Sequence, residues 1–500
     1  MTDAVQELKN HLGEVADLST AAAVLEWDQL TYMPRGGADA RAQALATLAG
    51  LSHEKMISAR TGDLLNAAAA ETAAGDKDSD EVRLVKVTRR EYDRQRKVPT
   101  DWLGEFTRVT STATNVWEKA KAASDFALFR PHLERIVAMR REYVEFFAPY
   151  DSIYDPLLDG FEPGMKTAEV SAVFSILRPA LVALVQKIAA RAAAVDDRCL
   201  QGDFDEARQW DFGVQVLKRL GYDFDRGRQD RSAHPFTTSF SPDDVRITTR
   251  FHRDLVASAL MGTVHEGGHA LYEQGVAPAL GRTPLAGGAS MAIHESQSRM
   301  WENLIGRSRP FWKVFYPLFQ TTFAEFAKVP MESFYRALNK VTPSLIRVEA
   351  DEVTYNLHIM LRFELELALL QGDLAVKDLP AAWNQKMKDY LGILPPDDAR
   401  GVLQDVHWSG GSMGYFPTYA LGNLVSVQLL DAAKSQSSQI TKDLDRGEYG
   451  TLLTWLRENV HRHGAKFESP ELLQRVTGEP LTPQPYIRYL QTKFGEIYGF

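Results

Sequence analysis

The sequence predicts a mainly α fold, organised as one helical domain over residues 1–500 with a small β-hairpin, and three observations carry that prediction. Apolar residues recur three and four apart through most segments, as at Leu177, Leu181, Leu184, Val185 and Ile188, which is the repeat of an amphipathic helix. Alanine-rich stretches at 65–74 and 189–194 add helix propensity without low-complexity character. Breaks fall at Gly75-Asp76-Lys77-Asp78, Glu162-Pro163-Gly164, Arg309-Pro310 and Leu394-Pro395-Pro396-Asp397-Asp398, and none is long enough for an interdomain linker.

The exception to helix lies at 234–250. His234-Pro235-Phe236-Thr237-Thr238-Ser239-Phe240 and Val245-Arg246-Ile247-Thr248-Thr249-Arg250 flank the turn residues Ser241-Pro242-Asp243-Asp244, which is the composition of a hairpin. A helix should follow from about Arg253 to Gln274. Ala257, Leu260, Met261, Val264, Gly268 and Leu271 form its buried face, and Gly275 ends it.

Composition excludes several classes. Hydrophobic residues at 44% and charged residues at 25% are close to globular averages, so the chain is not a disordered one. A net charge of -9 argues against a general nucleic-acid binder. The run Arg89-Arg90-Glu91-Tyr92-Asp93-Arg94-Gln95-Arg96-Lys97 interleaves acids with bases and reads as a solvated helix face. The first residues lack the charged and apolar regions of a signal peptide, and no stretch reads as long and apolar enough to cross a bilayer; a cytoplasmic address without membrane partners is expected. One cysteine, Cys199, rules out an intrachain disulfide and a multi-cysteine metal site, and we read it as incidental.

The chemistry concentrates in His265-Glu266-Gly267-Gly268-His269. Two histidines four residues apart project from one helix face, which suits two nitrogen ligands of one zinc, and Glu266 then stands beside the metal as general base toward a metal-bound water. Gly267 and Gly268 each cost a helix about 1 kcal/mol relative to Ala, so they mark close backbone approach. A catalytic zinc needs a third protein ligand and an open position. Glu295, in His294-Glu295-Ser296-Gln297-Ser298-Arg299, is the best candidate, because a Gly/Pro-rich loop from Gly275 to Gly288 allows an antiparallel return. His294 and Glu302 are its rivals, Glu302 reading as surface charge two turns further along.

With these motifs in order, the chain resembles the thermostable carboxypeptidase Taq family of metallocarboxypeptidases. Asp244-Val245-Arg246-Ile247-Thr248 matches DxRxT, Ile346-Arg347-Val348-Glu349-Ala350-Asp351 matches IRxxAD, and Gly401-Val402-Leu403-Gln404-Asp405-Val406-His407-Trp408 matches GxxQDxHW. His265-Glu266-Gly267-Gly268-His269 and His294-Glu295-Ser296-Gln297 complete the set. Trp27-Asp28-Gln29, Met33-Pro34, Tyr154-Asp155-Pro156-Leu157-Leu158-Asp159 and Gly414-Tyr415-Phe416-Pro417-Thr418-Tyr419 extend the likeness over nearly the whole chain. The resemblance implies a saddle-shaped helical peptidase fold with a deep active-site cleft, a homodimer, removal of single C-terminal residues with broad specificity, and Glu295 as third ligand.

A carboxypeptidase must hold a terminal carboxylate with cations. Arg246 and Arg347 are the available forks. Each alone reads as a structural salt bridge, Arg347 having Glu349 and Asp351 close by, and within the family motifs both look like carboxylate binders. His407, with Gln404 nearby, can add hydrogen bonds to the peptide, while Trp408 reads as a packing anchor. Candidates to stabilise the oxyanion are His234, Tyr415 and Tyr419. Asp351 and Asp405 are left as structural rather than as acceptors for a ligating imidazole, and His461 and His463 read as a solvated helix end. The metal is expected to be zinc, with cobalt or another divalent ion also accepted by two histidines and a glutamate. The partners are then peptides with a free C-terminal carboxylate. An endopeptidase or dipeptidyl carboxypeptidase is the nearest alternative, and a non-catalytic peptide-binding protein, against which Glu266 argues, is the alternative of another class.

Overall fold

The computed structural model describes residues 4–500 and bears out the mainly α reading. Twenty α-helices lie among the described residues, interrupted by one three-stranded sheet. Its strands are β1 (Gln229–Arg231), β2 (Thr237–Ser241) and β3 (Asp244–Thr249), with β3 central. The expected hairpin is β2–β3, antiparallel, with Thr238 opposite Arg246 and an irregularity between Ser239 and Ser241. β1, parallel to β3, was not legible: Gln229-Asp230-Arg231 offers no apolar alternation, and tertiary pairing of Gln229 with Ile247 makes it a strand.

The period of two sorts the sheet's faces. Val245, Ile247 and Thr249 are buried against the helix Val256–Glu273, and the Thr249 hydroxyl lies 2.9 Å from that of Thr263. Thr237 pairs with Ile247 and Ser239 with Val245, so both share this inward face. Arg246 points the other way, its guanidinium 4.4 Å from the Trp27 ring. The first helices, Ala4–Thr31 through Asp80–Lys97, form a small core of their own with Val276, Leu280 and Leu285. They are tied to the sheet by Trp27 and by a hydrogen bond from Tyr32 to Asp230. The remaining helices share one large core.

The helix expected from Arg253 to Gln274 runs Val256–Glu273 and is buried around most of its circumference. Its neighbour Met291–Arg299 is clamped between it and Pro417–Gln436. A side-chain carbon at Gly268 would lie 2.6 Å from Ser298 Cα and 2.7 Å from the Gln297 carbonyl oxygen. One at Gly422 would lie 2.7 Å from Glu295 Cβ. Gly268 therefore permits backbone-to-backbone approach, and Gly422 lets the Glu295 side chain lie against the backbone of Pro417–Gln436. The clamped helix begins at Ser290, whose hydroxyl accepts from the Ile293 N–H at 3.1 Å, and at Glu162, which accepts from the Ala292 N–H at 2.5 Å. Burial pushes the Glu162 carboxyl up to about 8.

Two readings need correction. One helix, Thr167–Ala189, is long and apolar enough to cross a membrane by length and composition, with a mean hydropathy of 1.8 over an 18-residue window. Its alanines raise that mean, while Val170, Phe174, Leu177, Leu181 and Leu184 bury in the main core, which accounts for its apolar stripe. The basic run on Asp80–Lys97 is also more than a solvated face. Arg90 and Arg94 bind the Asp159 carboxylate at 2.7 and 2.5 Å, because Asp159 on a distant loop packs against them.

Replacing Gly268 with Ala should cost about 1–3 kcal/mol of unfolding free energy through overpacking against a backbone that cannot yield, read as a lowered thermal midpoint. Glu162→Gln tests the buried acid. A carboxyl raised in the folded state contributes stability below its unfolded value that is lost as pH rises toward about 8. The variant should match the parent near pH 4 and exceed it by on the order of a few kcal/mol at pH 9 in urea unfolding.

Candidate active site

Helix geometry sets His265 and His269 one turn apart, with ring centroids 4.9 Å apart. Their Nε2 atoms stand 3.5 and 3.3 Å from Glu295 Oε2. One donor atom from each of His265, His269 and Glu295 lies within 4.8 Å of the others. Two atoms each ~2.0–2.1 Å from a tetrahedral ion lie roughly 3.4 Å apart, so this donor set fits a small divalent metal. The other atoms are turned away and occupied. His265 Nδ1 is 2.9 Å from Glu302 Oε2, His269 Nδ1 is 2.6 Å from His294 Nδ1, and Glu295 Oε1 accepts from Arg299 Nε at 2.7 Å.

Both rivals of Glu295 thus stand behind the donor set. His294 spends its second nitrogen on Glu273 Oε1 at 2.8 Å. Glu302 is buried, so its reading as surface charge was wrong. Glu295, Arg299 and Glu302 are spaced four and three apart and share one helix face, a signal that was available in the sequence. The segment Met300–Gly306 that carries Glu302 is a wide π-helical turn, buried throughout.

Electrostatics follow from this packing. Burial pushes Glu295 up, but Arg299, His265 and His269 hold it well below the usual carboxylate range. Glu302 falls to about 2: burial opposes ionisation, and Arg299 and His265 overcome it. Burial lowers His269 to about 4, leaving a neutral imidazole with a free lone pair. Burial also lowers the imidazolium of His265, but Glu295 and Glu302 raise it above its ordinary value. Against burial, which raises it, the hydrogen bond from His294 keeps Glu273 below the usual range. Glu266 is raised chiefly by burial, and the Thr237 hydroxyl lies 2.7 Å from its Oε2 and 2.9 Å from its carbonyl oxygen. Thr237 is a residue that sequence reasoning missed.

A second polar cluster lies across Tyr355. Arg299 stacks on the Tyr355 ring at 4.5 Å, and Arg347 Nη1 donates to the Tyr355 hydroxyl at 3.1 Å. Arg347 binds Asp405 Oδ1 at 2.8 Å, and Arg362 binds Asp405 Oδ2 at 2.5 Å. The partner of Arg347 is therefore the remote Asp405 rather than Glu349 or Asp351. Two guanidinium groups share one carboxylate, so the cluster carries a surplus positive charge. Arg246 differs: Asp244 engages its fork at 2.8 Å through two bonds, a neutral pair set between the Trp27 and Phe240 rings.

His407 and Tyr419 border the arginines, with His407 Nε2 3.4 Å from the Tyr419 hydroxyl, and Tyr415 stacks edge-on against Tyr419. Burial lowers His407 to about 4, and its Nδ1 has no hydrogen-bond partner among the described residues. Tyr415 rises to about 12 through burial, so its hydroxyl keeps its proton. Glu366 pins this loop, accepting from Trp408 Nε1 at 2.7 Å and from the Gly414 N–H at 3.1 Å, and Trp408 is the buried anchor expected.

The fold also places three further residues, and for two of them, Gln404 and His461, the expectation changes. His234 is exposed at the entry to β2 and makes no side-chain hydrogen bond among the described residues. Gln404 turns inward, accepting from the Arg347 N–H at 2.9 Å and donating to the Leu345 carbonyl at 3.0 Å, because the loop folds back on itself. His461 is fully buried against Gly275 and bonds Gln297 Oε1 at 2.9 Å, far from a solvated helix end. Asp351 and Asp405 do serve as structural acids, Asp351 capping Thr354 at 3.0 Å.

Residues 7–494 match the family model of the carboxypeptidase Taq (M32) metallopeptidases. The chain belongs to this family. Thermostable carboxypeptidase 1 of Thermus thermophilus is 42% identical over 99% of both chains, and carboxypeptidase 1 of Bacillus subtilis is 38% identical over 99% of this chain and 98% of its own. The crystal structure of the M32 carboxypeptidase from Deinococcus radiodurans superimposes with a TM-score of 0.95 at 42% identity, covering 99% of this chain and 100% of that one. A Pyrococcus furiosus carboxypeptidase structure gives 0.94 at 36%, covering 99% of each chain. This M32 carboxypeptidase is therefore a peptide hydrolase that uses a divalent metal.

Arg299 holds two buried carboxylates at once, and Arg299→Met should destabilise the metal-free enzyme by about 3–5 kcal/mol in denaturant unfolding by leaving them unpaired.

Proposed function

We propose that this M32 carboxypeptidase works with zinc, held by His265, His269 and Glu295, and releases single C-terminal residues with broad specificity from peptides carrying a free α-carboxylate. The observation that carries this reading is the placing of a positive Arg347–Asp405–Arg362 cluster on the far side of Tyr355 from the three donor atoms. In this reading, a substrate whose terminal carboxylate meets Arg347 has its last peptide bond attacked beside Glu266 and the donor set. Two imidazoles, one carboxylate and separations of 3.3 and 3.5 Å suit tetrahedral zinc, though cobalt or another divalent ion uses the same donors. When bound, the metal supplies Lewis acidity, polarising the scissile carbonyl and making a water easier to deprotonate.

Glu266 then acts as general base, taking a proton from the attacking water and delivering it to the leaving nitrogen. Its raised affinity for protons matches that task, and Thr237 holds its Oε2 in place. The protonated hydroxyls of Tyr415 and Tyr419 are suited to donate to the developing oxyanion, and exposed His234 is the remaining candidate for that role. Arg347 is the principal carboxylate fork and neutral His407 adds a hydrogen bond. Arg246, already neutralised by Asp244, contributes as a rim residue. Arg347 is surrounded by the rings of Tyr355, Phe416 and Tyr419, and the broad specificity we propose rests on the absence of a charged group on these walls. Homodimeric assembly and a cytoplasmic address complete the reading, and sedimentation and cell fractionation test them.

Amino-acid release from paired free-acid and C-terminal amide peptides, with and without chelator, is the deciding assay. The free acid should be cleaved one residue at a time, the amide far more slowly, and chelator should abolish both. Equal cleavage of the amide would overturn carboxylate recognition. Glu266→Gln should keep the metal and lower kcat by at least about 10²–10⁴-fold, the range typical of a lost general base.

A further inference from the structure

We propose that Glu273 and His294 are positioning residues that fix which ring nitrogen His269 offers to the metal. The inference rests on His269 being a ligand, as proposed above. It follows from hydrogen-bond polarity along one chain of groups. A carboxylate only accepts, so at 2.8 Å from Glu273 Oε1 the Nε2 of His294 must be the donor. Its other ring nitrogen, Nδ1, faces His269 Nδ1 at 2.6 Å, and of two facing nitrogens one must donate and the other accept. With Nε2 of His269 turned to the donor set, His269 Nδ1 is the donor and His294 Nδ1 the acceptor. The Nε2 of His269 is left bare, and it is the atom that stands 3.3 Å from Glu295 Oε2. Reversing any one bond would place a proton on Nε2, where a metal must bind.

The same result is reached differently at His265, whose Nδ1 meets Glu302 directly at 2.9 Å. At His269 the acceptor acts through an intervening ring, and the two halves of the relay come from different helices. Glu273 follows His269 by four residues on Val256–Glu273, and His294 precedes Glu295 on Met291–Arg299. The relay closes only when these helices are docked. Its surroundings are shaped for it: a side-chain carbon at Gly288 would lie 2.7 Å from His294 Cδ2, and Ser239 of β2 lies beside Glu273.

The test is zinc affinity of the full-length protein, stripped and titrated against a competing chelator. Glu273→Gln keeps volume and hydrogen bonding, but its amide donates as readily as it accepts, so the direction of the chain is no longer imposed. Zinc affinity should fall by about 10–100-fold, the usual cost of losing a group behind a ligand, while the thermal midpoint of the metal-free protein stays at the parent value. His294→Leu should fall at least as far. His294→Asn, whose Oδ1 stands where Nδ1 does, should recover most of the loss. Unchanged zinc affinity in Glu273→Gln, or no difference between His294→Asn and His294→Leu, would overturn the proposal. His265→Ala and Glu295→Ala separate the two readings. If they lose zinc while Glu273→Gln keeps it, the relay alone is wrong; if they bind zinc like the parent, the ligand assignment fails and the relay with it.

Discussion

The close packing of the helix Met291–Arg299 against Val256–Glu273 on one side and Pro417–Gln436 on the other is the constraint on which the rest of the site depends. Glycine at 268 and at 422 removes the two side chains that would hold these helices apart. Because the approach is that close, Glu295 reaches the imidazoles of His265 and His269 without a long flexible arm, and its position is set by packing rather than by a loop. The same contact brings His294 against His269 and Gln297 against His461, so His294, Glu295 and Gln297 each have a partner on another segment.

Concentrating donors in a buried volume creates an electrostatic problem, since Glu266, Glu273, Glu295 and Glu302 lie on two neighbouring helices and the π-helical turn that continues the second. Buried carboxylates are costly unless paired. Arg299 answers for two of them and His294 for a third, while among the described residues Glu266 has only the Thr237 hydroxyl as side-chain partner and so keeps a raised affinity for protons. The same pattern that stabilises the site therefore leaves one carboxylate chemically different from its neighbours, which is the condition for a base. Arg299 also stacks on Tyr355, and Tyr355 bonds Arg347, so charge balance behind the donor set is continuous with the cationic cluster opposite it.

The hairpin illustrates how much local pattern can say. Two β-rich runs around a Pro-Asp turn in 234–250 were enough to place β2 and β3, and their position ahead of the His265 helix implied contact with the site. It did not reveal that Thr237 and Ser239 would meet Glu266 and Glu273, because which face of a two-residue period turns inward depends on the helix it packs against. Similarly, a four-and-three spacing linked Glu295, Arg299 and Glu302, yet the exposure of Glu302 was misjudged because solvent access depends on neighbours from elsewhere in the chain. His461 and Gln404 were misread for the same reason: polar residues near Gly, Arg and other polar residues look solvated until a distant segment covers them.

By itself the sequence determined that the chain is helical, that one short segment is β, and that two histidines and a glutamate stand in a metal-binding pattern, because helix periodicity and i, i+4 spacing are local properties of the chain. Tertiary structure alone decided which nitrogen faces Glu295, which acid stands behind each imidazole, and which arginine carries surplus charge. Arg246 and Arg347 are alike in sequence context, each within a few residues of acids. Only the fold gives Arg246 the adjacent Asp244 to itself while making Arg347 share Asp405 with Arg362. Hydrogen-bond direction and charge balance belong to groups brought together from far apart, and no local spacing encodes them.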